Sequence, residues 1–479
     1  MSDYKLIKLF HIFYFEKAIS QSFFRRMFTM KKFTKTAIAT TLGTTLMFTT
    51  IMPAVKAEQV TPDISNWAIQ TLNDGEKFGI FPIEWYYDGF RSTISTERLN
   101  SLMTLTEKKI AGLNLAKNEA FTPLKVTGDK TRGDIINQLY NIVAQYDLNV
   151  SEDAVKYMQE RKVLQGSESG LMLDAKATTQ HAVIFAVRLI QDTFEQANAG
   201  AKGVAWVVED EDTKIYLLGS IHVGTPDLHP MHKKLTNAFK DSDGLFVEAN
   251  SLDPSGLDYY MEKAMFTDGR TIKDVVSEET YAKLEKVAEQ LEMPMEELAL
   301  QKPWFISSNF SSMSLDGVFG LTPEEMAMHG VDIQFILSAY LQQKPIYELE
   351  GMNAQVDMFD GLSQESQEQS LVEALDSILE PAEQTDEDVK IMADWFTNWV
   401  NGDIDKFAES LKEMNEDTSE FNEMLFGKRD EQMAAKLVEV LEKQQGTFFV
   451  VVGAGHFLVD KNIRYHLEQS GYEVKPFYQ

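Results

Sequence analysis

Over the second half of the chain, apolar runs of strand length alternate with apolar positions spaced by three and four residues, a pattern that predicts an α/β sheet with helices packed around it. Val204-Ala-Trp-Val-Val208 and Lys214-Ile-Tyr-Leu-Leu218 flank Glu209-Asp-Glu-Asp-Thr213 and read as a hairpin with an acidic turn. Further strands are expected at Gly244-Leu-Phe-Val-Glu248, Ile346-Tyr-Glu-Leu-Glu350, Phe448-Phe-Val-Val-Val452 and Tyr472-Glu-Val-Lys-Pro476. Tyr281, Leu284, Val287 and Leu291 keep helical spacing, as do Val389, Met392, Trp395 and Phe396, so residues 255–325 and 362–444 read as helical inserts forming a lid. Residues 58–199 read as a separate, mostly α-helical domain, and Asn198-Ala-Gly-Ala-Lys-Gly203 is the small-residue break before the sheet domain at 202–479. The expected fold class is therefore α/β (α+β), a sheet domain with an inserted helical lid.

Residues 1–57 read as an address rather than as structure. Met30-Lys-Lys-Phe-Thr-Lys35 is a basic n-region, Ala37 to Ile51 is mostly apolar, and Val55-Lys-Ala57 is a small-residue cleavage pattern, so a secretory signal cut after Ala57 is expected. That segment holds nine Lys/Arg and two Asp/Glu, hence +7 of the total of −29, which leaves −36 on the remainder. Such acidity disfavours nucleic acid as a partner and favours basic peptides and metal cations. The chain has no cysteine. An exported protein without cysteine suits a Gram-positive type of envelope, secreted or envelope-associated, and leaves His, Asp and Glu as the metal-binding side chains.

Within residues 58–199 two stretches repeat. The first runs through Ser65-Asn-Trp67, Phe78-Gly-Ile80, Tyr87-Asp-Gly-Phe90 and Ile94-Ser-Thr-Glu-Arg-Leu99. The second runs through Asp153-Ala-Val-Lys-Tyr-Met158, Val163-Leu-Gln-Gly166, Gly170-Leu-Met-Leu173 and Ala177-Thr-Thr-Gln-His-Ala182. Both read as helix, glycine turn, short extended piece, capped helix. The order resembles the S-layer homology module, which implies a cell-wall polymer as a partner of this region. The second copy lacks the tryptophan and the acidic residue after its threonine. The alternative is a plain helical domain with Trp67 in its core.

The chemistry lies in two elements of one kind, Ile215-Tyr-Leu-Leu-Gly-Ser-Ile-His222 and Phe448-Phe-Val-Val-Val-Gly-Ala-Gly-His456. Each is an apolar strand ending in glycine and then an imidazole. Gly219 and Gly453 would allow close approach of a cofactor or ligand, and His222 and His456 would stand at strand carboxyl ends, where open α/β sheets bind ligands. Glu248 ends another buried strand, where a carboxylate needs a cation or a proton. His222, Glu248 and His456 make a first shell for Zn²⁺, Mn²⁺ or Co²⁺ with a position left for water. Equally, Glu248 could act as a general base without metal. Asp332 and Glu350 are expected near sheet termini as orienting groups, and His229-Pro-Met-His232 is set aside as a surface helix start.

Gly219-Ser-Ile-His222-Val-Gly224, Leu245-Phe-Val-Glu248, Lys302-Pro-Trp304, Gly330-Val-Asp332, Lys344-Pro-Ile-Tyr-Glu-Leu-Glu350 and Val452-Gly-Ala-Gly-His456-Phe457 together resemble the TraB/PrgY/GumN family over residues 202–479. The resemblance implies a fold related to the Tiki proteases, with the two Gly-x-x-His motifs as hallmark. It also implies a hydrolase acting on peptides or protein amino termini, with Mn²⁺ or Co²⁺ as the favoured metal and Zn²⁺ as a further option. PrgY and TraB imply blocking of peptide pheromones, whether by binding or by degrading them, and the alternative to the hydrolase is a non-catalytic protein of the cell envelope that sequesters a pheromone-like peptide. The chain departs from the family at Asn250, where an acidic residue is common, and at Ala249, where leucine is frequent.

Overall fold

A computed structural model of the protein describes residues 62–313, 315–379, 386–412 and 417–478. The expected export signal at residues 1–57 lies outside them. The chain divides into two compact units, one built from residues up to Ala201 with Pro226–Thr236, the other from Lys202–Thr225 with the residues from Asn237 onward. Among the described residues, no helix is long and apolar enough to cross a membrane.

The first unit contains α1 (Ile69–Lys77), α2 (Thr96–Ala111), α3 (Arg132–Ala144), α4 (Ala154–Glu160) and α5 (Thr179–Gln196). Nearly every face of α5 is apolar, and Val183, Ile184, Phe185, Val187, Leu189 and Ile190 bury it at the centre of the unit. The starts of α2, α3 and α5 are built alike. Ser95, Thr131 and Thr178 each cap a helix by accepting the backbone N–H of Arg98, Asp134 and His181. The extended residues before them meet, with the Ile94 N–H donating to the Ala177 carbonyl and the Ala177 N–H to that of Lys130. Thr131-Arg-Gly-Asp134 is thus a third equivalent start lying between the two read from the sequence. Trp67 is 60% exposed, so it does not serve the core. His229 and His232 are buried rather than on the surface, and the His232 backbone packs closely against Gly200.

The second unit is a mixed α/β domain. Its strands are β1 (Val204–Glu209), β2 (Thr213–Ser220), β3 (Gly244–Val247), β4 (Ile346–Glu348), β5 (Gly446–Gly453) and β6 (Val474–Pro476). They form one six-stranded sheet in the order β4-β3-β5-β2-β1-β6. β1 and β2 make the expected antiparallel hairpin, while β4, β3, β5 and β2 run parallel. Four strand ends therefore share one edge, with β5 in the middle.

The helices that matter for that edge are α6 (Glu278–Gln290), α7 (Pro303–Met313), α8 (Val331–Leu341), α9 (Met352–Asp360), α10 (Gln364–Leu379), α11 (Asp386–Asn401), α12 (Lys428–Lys443) and α13 (Gly455–Leu458). Helices from both helical stretches pack as one body, since Leu284 and Val287 of α6, Ile306 and Phe310 of α7, and Leu371 and Leu375 of α10 share a core. α8 packs on β3 and β5, with Phe335 stacked on Phe449 at 5.0 Å. Buried Trp399 of α11 donates its indole N–H to the carbonyl of Gly219 at 2.7 Å and so fixes the end of β2.

One carboxyl in the first unit titrates near neutrality. Burial pushes Glu76 up to about 7, against the opposing hydrogen bond from the Tyr86 hydroxyl at 2.6 Å. Because its folded-state pKa is raised, its contribution to stability is complete below the ordinary carboxyl range and is lost as pH rises through about 7. Urea unfolding of the first unit, followed by amide hydrogen exchange, is expected to weaken from pH 5 to pH 8, and Glu76→Gln is expected to flatten that dependence.

Candidate active site

The edge at the carboxyl ends of β2, β3, β4 and β5 gathers charged side chains from six segments. His222 follows β2, Glu248 follows β3, Glu350 follows β4, and His456 lies in the short helix α13 after β5. The parallel register sets Val247 opposite Val451, and the N–H groups of Glu350 and Gly351 both donate to the Glu248 carbonyl at 2.9 Å. The pairing of β3 with β4, continued by these two bonds, brings the two glutamates together. Glu350 lies two residues beyond the end of β4, not in the strand, and Asp332 lies in the first turn of α8, beside His222.

Each imidazole is oriented by a carboxylate. His222 Nδ1 meets Asp332 Oδ1 at 3.1 Å, and His456 Nδ1 meets Asp430 Oδ1 at 2.7 Å. A carboxylate accepts only, so each Nδ1 carries the proton and each Nε2 is the free end. The first pairing depends on a glycine. The Val331 N–H donates to the Ile221 carbonyl at 2.8 Å, and a Cβ on Gly330 would land on the His222 carbonyl, so only glycine lets α8 start close enough to deliver Asp332. The second pairing comes from α12, where Asp430 also accepts the Gly427 N–H at 3.2 Å and so caps the helix it belongs to.

Glu248 is enclosed by donors. Its Oε1 accepts the Gly453 N–H at 2.6 Å, and its Oε2 lies 3.2 Å from both Arg429 Nη2 and Gln355 Nε2. Arg429 holds Glu350 more closely, through Nη2 at 2.6 Å and Nε at 2.8 Å, and Gln355 bridges to the same carboxylate at 3.2 Å. His456 Nε2 is 3.8 Å from Glu248 Oε2. Burial would raise the Glu248 carboxyl, but His456, Arg429 and His222 with the Gly453 amide outweigh it and hold the group well below the ordinary range. At His222 burial works against the charged form, and the Asp332 carboxylate reverses it and raises the imidazole. All of these side chains are at least nine-tenths buried.

The two motif glycines do different things. A Cβ on Gly219 would fall 2.8 Å from Val204 Cγ2 and 3.0 Å from the Ala454 Cα, so its space is taken by the protein itself and it serves strand packing. A Cβ on Gly453 would lie 3.2 Å from both Glu248 Oε1 and His222 Nε2, which places that glycine at the chemical centre. Above it opens a small cleft of about 70 Å³ with Ser220, His222, Glu248, Gln355, Arg429 and His456 at its base and Met358, Phe359, Phe407, Leu411, Leu425 and Phe426 as apolar wall.

His222, Glu248, His456, Asp332 and Glu350 are thus in one cluster. Arg429, Asp430 and Gln355 belong to it too and were missed, because Gly427-Lys-Arg-Asp430 reads in sequence as a charged helix start. The donor chemistry suits a divalent cation, since two imidazoles with carboxylates on their far nitrogens are arranged as metal-binding histidines are. The positions do not close a shell: among the described residues, no three His, Asp or Glu side chains converge on one cation position.

Comparison with known proteins adds to this geometry. The profile of the TraB/PrgY/gumN family matches residues 204–476. The curated uncharacterized protein YbaP of Escherichia coli (strain K12) is 29% identical over 143 residues, 30% of this chain and 50% of YbaP, and YbaP of Shigella flexneri matches equally. The chain thus spans about half the length of these relatives. No solved structure matches.

The buried ion pairs are open to a direct test. Arg429→Met leaves Glu248 and Glu350 without their counter-charge and is expected to destabilise the second unit by about 3–5 kcal/mol. Adding Glu350→Gln is expected to recover part of that loss, measured as a double-mutant cycle by denaturant unfolding.

Proposed function

The chain belongs to the TraB/PrgY/gumN family, and from that premise we propose that it is an exported metal-dependent hydrolase, a peptidase acting on peptides or protein amino termini. The observation that carries this reading is a charge imbalance. Asp332, Asp430, Glu248 and Glu350 are buried with a single guanidinium, that of Arg429, while both imidazoles point an Nε2 into the cleft. A buried cluster of that sign attracts a cation, and the free Nε2 atoms are the ligands a transition metal prefers. His222, His456 and Glu248 would have to close in from their present positions to hold Mn²⁺ or Co²⁺, with Zn²⁺ as the further option. When bound, the ion would supply a polarised scissile carbonyl and a water of lowered pKa.

The chain's own residues have distinct parts in this reading. Asp332 and Asp430 keep each imidazole proton on Nδ1, and Glu248 or one of the imidazoles takes the proton of the attacking water. Arg429 and Gln355 hold Glu248 and Glu350 in place. The apolar wall takes side chains of an extended peptide and excludes water, and the chain's acidity favours substrates with a free amino terminus.

A second reading is favoured by one observation, the absence of a converging trio of metal ligands among the described residues. In it the same cleft captures a pheromone-like peptide without cutting it. For the first unit we propose attachment to cell-wall polymer through its S-layer-homology-like repeats.

Elemental analysis and Mn²⁺, Co²⁺ and Zn²⁺ titration separate the readings at the cleft. One ion per chain is expected in the wild type, lost in both His222→Ala and His456→Ala while circular dichroism is unchanged, together with cleavage of unblocked peptides. Binding of peptides without any ion or cleavage would favour sequestration. Pelleting with purified Gram-positive cell walls tests the first unit, which is expected to carry the protein down with the walls and to fail when the walls are stripped of secondary polymer.

A further inference from the structure

Ser220 is the last residue of β2 and lies at the base of the cleft, 3% exposed. Its hydroxyl is buried and meets no hydrogen-bond partner among the described residues. A buried hydroxyl left unpaired is destabilising, so its persistence calls for a partner from outside the chain. The position supplies a reason.

Ser220 pairs with Gly453 in the parallel ladder of β2 and β5, and residues paired in this way project to the same face of the sheet. A Cβ on Gly453 would crowd Glu248 Oε1 and His222 Nε2, each 3.2 Å away, so the glycine lets both atoms stand close to the end of β5. The Ala454 N–H donates to the Ser220 carbonyl at 2.9 Å, so the serine backbone is held beside them. Ser220, His222 and Glu248 therefore line one cleft with Gly453 between them.

We propose that Ser220 is a positioning residue whose hydroxyl holds the attacking water in the cleft beside Gly453. The inference rests on the hydrolase reading for its chemistry and on the geometry alone for its location. In the reaction the water oxygen bonds to the scissile carbonyl carbon as the C–N bond breaks. Both water protons end on the leaving nitrogen by way of the buried cluster, so the products are a carboxylate and an ammonium group. Ser220 exchanges no proton with the substrate in this scheme; it fixes where the oxygen stands before attack.

The test is a pair of high-resolution crystal structures, wild type and Ser220→Ala, combined with cleavage kinetics on unblocked peptides for both proteins and for Ser220→Thr. The expected result is an ordered water bonded to Ser220 Oγ over Gly453 in the wild type and missing in Ser220→Ala, with equal melting temperatures. kcat is expected to fall about 10- to 100-fold in Ser220→Ala with KM unchanged and to be largely restored in Ser220→Thr. A water retained in Ser220→Ala, a Ser220 hydroxyl turned to a backbone carbonyl, or an unchanged kcat would overturn the proposal. If the wild type cuts no peptide with any of the three metals, the hydrolase reading fails and with it the catalytic part of the proposal, while the density over Gly453 still decides whether Ser220 holds a water.

Discussion

The guanidinium of Arg429 is the interaction on which the edge of the sheet depends. Two glutamates brought together by parallel strands would repel each other in a buried setting, and it is Arg429, with Gln355 bridging the same two carboxylates, that makes their proximity tolerable. Burial works against the guanidinium's charge, yet Glu350 and Glu248 more than restore it. The neighbouring residue, Asp430, orients His456, so one helical turn both neutralises the acids and aims an imidazole.

Close backbone approach does the rest. Gly330 lets α8 begin against the His222 carbonyl, and Gly455 makes room for the Phe426 ring, which in turn packs against His456 at 5.2 Å between ring centres. Each imidazole is thus held by a carboxylate on one side and by a glycine-dependent contact nearby. The precision of the cluster comes from places where a side chain is missing as much as from those where one is present.

Much of this edge was legible from sequence because strand ends have a signature. A run of apolar residues closed by glycine announces both the strand and the direction in which the chain leaves it, which is why His222 and His456 could be grouped across more than two hundred residues, and Glu248 joined them as a carboxylate ending a buried strand. Arg429 and Asp430 carry no such signature. They stand in the first turn of an amphipathic helix, where charged residues are ordinarily solvated; only the tertiary fold buries them. Gln355 was hidden for the same reason, as a polar residue within a helix. In the first unit Thr131-Arg-Gly-Asp134 was overlooked, although Gly128 turns the chain before it and its threonine caps α3 just as Ser95 and Thr178 cap α2 and α5.

The order of the strands has a consequence for how the molecule comes into being. β5 lies between β3 and β2 in the sheet, but its residues follow theirs in sequence by about two hundred positions. Until the last portion of the chain has been made, β2 and β3 have no common neighbour and each offers an unpaired apolar edge, the kind of surface that recruits other chains. Contacts so distant in sequence close slowly. Assembly of the whole cluster therefore waits on the final strand, and a shortened chain would lack the centre of its sheet while keeping most of its mass.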